Sequence, residues 1–92
     1  MIYEYMTLPD ETSIVHTDII KKDGKDCVKI YIERPVVGGF DNAVCWLPDY
    51  KWEDIKGFTQ KEIDHFSDII HSGAHLFFEF ARNGGFSSAA NL

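Results

Sequence analysis

The stretch His71-Ser72-Gly73-Ala74-His75, with Asp68 before it and Glu79 after it, holds the residue types with the most chemistry in this chain. Imidazoles four residues apart lie one turn apart on a single helical face. From there they can share a divalent transition metal, with the carboxylate of Asp68 or Glu79 completing the shell. The spacing falls short of a catalytic zinc motif, because the glutamate that follows the first histidine in H-E-x-x-H is here Ser72. The competing reading is a solvated helical stripe. Asp68 then sits one turn before His71, and His75 one turn before Glu79, each pair supporting the helix by about 0.2 to 0.5 kcal/mol when charged. The stripe is the favoured reading, and metal binding by His71, His75, Asp68 and Glu79 is the alternative.

Other chemistries find less support. The pairs Gly38-Gly39 and Gly84-Gly85 do not open a helix as a phosphate cradle must, and the second pair closes one. None of Ser13, Ser67, Ser72, Ser87 and Ser88 stands in a nucleophile-elbow pattern. Cys27 and Cys45 form no C-x-x-C pair and read as buried free thiols, with a bridge across a hairpin left open. A cysteine paired with His16 has no local pattern behind it, and a strand cysteine lacks the helix N-terminus that commonly lowers a thiol pKa. His65 borders an apolar helical face, where packing or capping is the ordinary role. No catalytic residue is assigned, and no cofactor is expected unless the metal alternative holds.

The composition narrows the partners. Nine basic against fifteen acidic residues give a net charge of −6 over 92 residues, so a broad phosphate-neutralising surface is not expected, and nucleic acid is excluded as a partner. Lys21, Lys22 and Lys25 are interrupted by Asp23 and read as a solvated turn. No basic leader opens the sequence and no apolar run approaches the roughly 18 residues that span a bilayer, so a cytosolic protein without membrane contact is expected. With 45% hydrophobic residues, a chain of this length has enough apolar material for one core.

Four strands and one helix must position these residues. Residues 2–8 alternate, residues 13–20 read as a second strand, and Asp23-Gly24 is a strong two-residue hairpin signal before residues 27–34. In that third strand Val28, Ile30 and Ile32 share one face and Lys29, Tyr31 and Glu33 the other. Pro35 is expected to end it, PVVGGF to form a longer loop, and residues 40–47 to make a fourth strand stopped by Pro48. Residues 49–57 fit either a helical turn or an edge strand. Thr59 and Glu62 form a capping box, from which a helix runs to about residue 82, with Ile63, Phe66, Ile70, Gly73, Ala74, Phe77, Phe80 and Ala81 on its core face. Residues 85–92 read as a flexible tail.

The expected fold is α+β, a four-stranded antiparallel meander with one long C-terminal amphipathic helix on one face. One helix leaves part of such a sheet uncovered. Tyr3, Tyr5 and Tyr31 are expected on faces turned away from it, and with Trp46, Trp52 and Phe78 they form the expected interface, since aromatics dominate interface hot spots. In the PVVGGF loop, Val36, Val37 and Phe40 are either a contact site or fold under the helix. The sequence therefore reads as a non-enzymatic interaction or regulatory module, binding a protein partner or a second copy of itself.

Overall fold

The structure is a computed structural model that describes residues 1–85, so most of the expected tail, from residue 86 on, lies outside the described residues. Six strands precede one helix: β1 (Ile2–Thr7), β2 (Ser13–Thr17), β3 (Ile20–Lys22), β4 (Lys25–Val36), β5 (Gly39–Leu47), β6 (Lys51–Lys56) and α1 (Gln60–Asn83). All pairings are antiparallel, in the order β1-β2-β4-β5-β6, with β3 also paired to β4. The architecture is the expected α+β meander under a helix. The strand count is six rather than four, and two local events account for the difference.

The first is a break in the run expected over 13–20. His16 pairs with Ile30 but Ile20 pairs with Cys27, so the three residues 17–19 face the two residues 28–29. This is the two-against-one count of a β-bulge. Thr17 repairs the ladder there: its hydroxyl accepts from the Lys29 backbone N–H at 3.1 Å and donates to the Asp18 carbonyl at 2.8 Å. The second event is β6, which settles residues 49–57 as an edge strand. The chain turns into it through a cis Leu47-Pro48 peptide and through Tyr50 at φ 55°, a left-handed conformation that is unusual for a bulky residue. The Tyr50 ring lies flat on His71, centroids 3.8 Å apart.

Pro35 does not end β4. Strand pairing continues through Pro35–Phe40 to Val36–Gly39, and PVVGGF is a tight hairpin whose turn residues are Val37 and Gly38, the latter at φ 85°. A terminal pair that brackets a two-residue turn exchanges hydrogen bonds, so the preceding residue points its nitrogen outward. There β2 has already ended, its last partner being Glu33. Proline therefore costs the sheet no ladder bond. At the opposite end, Asp23 and Gly24 both take positive φ, as a primed two-residue turn requires.

Cross-strand register fixes the buried face. One row runs Tyr3–His16–Ile30–Cys45–Trp52 through all five neighbouring strands and lies under α1, beside Ile14, Ile32, Ala43 and Leu47. From the helix, Ile63, Phe66, Ile70, Gly73, Phe77, Phe80 and Ala81 are buried against it. The capping box is formed, and Gly84 ends the helix in the left-handed conformation, its N–H donating to the Phe80 carbonyl.

Arg34 clamps the helix start to the sheet. Its guanidinium pairs with Glu62, donates to Asp41 at 2.7 and 3.1 Å, lies 3.6 Å from Asp10 and covers the Phe58 ring. The Thr59 backbone N–H and then Arg34 hold the Glu62 carboxyl below its ordinary value. One close approach depends on glycine. Tyr5 stacks on Phe77, and its hydroxyl would stand 2.2 Å from a Cβ added at Gly73. Alanine in a helix interior is normally better than glycine by roughly 0.5 to 1 kcal/mol. Here the contact reverses the sign: Gly73→Ala is expected to lower the thermal midpoint, and Tyr5→Phe in the Gly73→Ala background to restore part of it. A Gly73→Ala protein with a raised midpoint would show that Tyr5 is not held against the helix.

Candidate interaction surface

The helical histidines do not converge with other ligands. His71 is occupied by its stack on Tyr50, and His75 lies exposed beside Phe78 and Arg82 over the β3–β4 turn. No group of three or more His, Cys, Asp or Glu side chains gathers to hold a metal among the described residues. Neither Asp68–His71 nor His75–Glu79 makes an ion pair there. Arg82 reaches Asp26 at 3.8 Å instead, and Gln60 donates to Asp64 at 2.8 Å. The stripe is a solvated surface, pinned at His71 by an aromatic turn.

Buried nucleophiles and bases are equally separated. Cys27 and Cys45 are both buried and free. Cys45 shares the buried row with His16, but Ile30 stands between them, so they are about 10 Å apart, the width of two strand spacings. Burial also pushes the Cys45 thiol up to about 12, which removes thiolate character at neutral pH. His16 is fully buried, against the edge of Phe77 and beside Tyr3. Its Nδ1 lies 2.9 Å from the Thr17 carbonyl, which can only accept, so that nitrogen carries the proton; Nε2 has no hydrogen-bond partner among the described residues.

The aromatic residues expected at an interface divide into two sets. Tyr3, Tyr5 and Trp52 face the helix, contrary to the expectation that Tyr3 and Tyr5 turn away from it. Tyr3 donates to Asp18 and meets His16, Tyr5 stacks on Phe77, and Trp52 packs on the core. Phe78 also packs on the core, its ring under the Arg82 guanidinium. These four are partly buried on the helix side. The alternation in β1 cannot reveal this, since both of its faces carry apolar residues and only pairing with β2 decides which one is buried.

Tyr31 and Trp46 occupy the face of the sheet opposite the helix. The rows there run Glu4–Val15–Tyr31–Val44–Glu53 and Lys29–Trp46–Lys51. The Lys29 ammonium lies 4.8 Å from the Tyr31 ring and 5.4 Å from the Trp46 ring, Lys22 lies 4.4 Å above Trp46, and the indole N–H donates to Glu53 at 2.8 Å. Phe40 continues the same face toward the β4–β5 turn, where a concavity of about 320 Å³ is lined by Tyr31, Phe40, Asn42, Val44 and Asp54. Around the turn the surface becomes apolar: Val37 is 106% exposed, Phe40 58%, Ile55 46% and Val36 42%. The loop does not fold under the helix. Ile55 stands in no sequence pattern that marks it; it falls in a bulge of β6, the strand next to the hairpin, opposite Ala43 and with Asp54 at φ 54°.

Comparison with protein-family models, with curated proteins and with solved structures finds no match to this chain. No helix among the described residues is long and apolar enough to cross a membrane.

Burial lowers the His16 pKa from its ordinary value of about 6.5. The unfolded chain takes up that proton first as pH falls, so the contribution of neutral His16 is complete above about 6.5 and is lost below it. Urea midpoints are expected to fall between pH 7.5 and 5.5 in the parent protein and to change less in His16→Gln. Equal slopes in the two proteins would mean that His16 is not held neutral by burial.

Proposed function

We propose that this chain is a non-enzymatic protein-interaction module that associates with a second copy of itself through the β4–β5 tip, with the helix-free sheet face as its contact surface. The observation that carries the reading is the set of exposed apolar side chains at the tip, Val36, Val37, Phe40 and Ile55. Val36 stands on the helix side of the hairpin and Phe40 on the opposite face, with Val37 in the turn between them, and exposed apolar side chains gathered at one end of a sheet commonly mark an interface. The separation of the cysteines and histidines supports a binding role over a catalytic one. Two free thiols fit a reducing compartment, so the module is assigned to the cytosol.

His71 is stacked on Tyr50 and no further ligand gathers with the two imidazoles among the described residues, which favours interaction over metal binding. Size exclusion with light scattering is expected to give about twice the chain mass of 10.5 kDa. Replacing Val37 and Phe40 together by Ser is expected to return the mass to that of one chain without changing the circular dichroism. A parent protein that runs as a monomer at every concentration, or a Ser variant that remains dimeric, would contradict the assignment of this tip.

A further inference from the structure

The other end of the same sheet face has a different character. Lys29 and Lys51 flank Trp46 on the two neighbouring strands, and Lys22 reaches over the same ring from β3. None of the three forms an ion pair among the described residues, whereas the neighbouring Lys21 and Lys25 are neutralised by Asp26 and Asp49. Beside the indole is a concavity of about 390 Å³ where Lys22, Lys25, Lys51 and Trp46 meet Asp23 and Asp49, the last of these already paired with Lys25. Two ammonium groups thus lie over one half-buried indole and a third lysine is its ladder partner, beside the Glu53 carboxylate that accepts from the indole N–H, in a chain of net charge −6. No run in the sequence shows this cluster, because its members come from β3, β4 and β6.

We propose that the Lys22–Lys29–Lys51 cluster and the Trp46 ring form a docking site for an extended acidic segment of a partner protein. The proposal rests on reading this sheet face as an interaction surface. Charge complementarity selects the occupant. Carboxylates two residues apart on an extended chain project to the same side about 7 Å from each other. Lys29 and Lys51 are two strands apart, about 10 Å at the backbone, and their flexible stems bridge the difference. The segment's backbone then crosses the indole face. A nucleic-acid strand carries a charge every few ångströms along its length and would lay more phosphates on this face than the three lysines can pair, against Glu33 and Glu53 as well. A short acidic peptide has to place only two or three carboxylates, and Asp49 beside them is already neutralised by Lys25. Trp46 and the hairpin tip are about 20 Å apart along β5, so the two contact regions do not compete.

The test is fluorescence anisotropy with a labelled octapeptide of alternating Glu and Val, beside the corresponding Lys and Val peptide and labelled oligothymidylate. The acidic peptide is expected to bind saturably, to weaken with added salt, and to bind about tenfold more weakly to the Lys22→Gln, Lys29→Gln, Lys51→Gln triple variant. Lys56→Gln with Lys61→Gln, which changes the net charge almost as much elsewhere, is expected to leave binding intact. Lys22→Gln alone alters an exposed side chain and is expected to give a smaller loss, which keeps the test informative if the triple variant unfolds. Absence of saturable binding, equal binding by parent and Lys22→Gln proteins, or tighter binding of oligothymidylate would overturn the proposal. A monomeric protein that still binds the acidic peptide would remove self-association and leave this site. A dimer that does not bind it would do the reverse.

Discussion

One helix serves a sheet five ladder positions wide, and most of the structure follows from that mismatch. Four strand spacings span about 19 Å, while a helix with its side chains is roughly 10 to 12 Å across. The central strands can be covered by aliphatic residues, and there the buried row carries Ile30 and Cys45. At the margins the gap is wider. Tyr3 on β1 and Trp52 on β6 fill it, and Tyr5 reaches in to stack on Phe77. Aromatic residues that would be hot spots on another protein are therefore spent on closing the flanks of the core. Among the described residues no helix covers the opposite face, and its row of Val15, Tyr31 and Val44 is shielded there by neighbouring side chains.

The same constraint places the apolar tip in water. Arg34 is an anchor of β4 on the helix side, tied to Glu62 at the start of α1, to Asp41 on β5 and to Asp10 in the β1–β2 turn. Glu62 divides its two carboxylate oxygens between that clamp and the capping box. The helix can begin no earlier, because Thr59 supplies its cap and Gly57, at φ 86° and pressed against the Asp41 carboxylate, turns the chain before it. The hairpin passes Arg34 and runs on for two more ladder pairs with nothing above it among the described residues. The exposure of Val36, on the helix side, is thus a consequence of where the clamp sits, whereas Phe40 lies on the face the helix does not cover. The lysine cluster follows from the far end of the same strands, where β3 turns back beside β4 and delivers Lys22 to Trp46.

Much of this was legible in the sequence where a signal is local. The Thr59–Glu62 capping box, the apolar face of α1, the Asp23-Gly24 turn and the alternation of β4 depend on neighbours a few residues apart, and each is found as read. What could not be read depends on pairing between distant segments. The break at Thr17 exists because a hydroxyl replaces a ladder partner, and nothing in residues 13–20 announces that. Pro35 suggested a strand end, but the hairpin register turns its missing donor outward. The facing of Tyr3 and Tyr5 is decided by His16 and Ile14 on the next strand. The exposed tip and the cluster around Trp46 are properties of the assembled sheet, and of the six aromatics read as interface residues Tyr31 and Trp46 lie on the face opposite the helix.

Contact with a second copy, as proposed, is made at the β4–β5 tip and not on the helix. Backbone amide shifts of isotopically labelled protein, followed by NMR from low to high protein concentration, test that claim residue by residue. Concentration-dependent shifts should cluster at residues 36–40 and 54–56, with Gln60–Asn83 unchanged. Shifts confined to the exposed face of α1, at Asp64, Asp68 and His75, or none at any concentration, would contradict it.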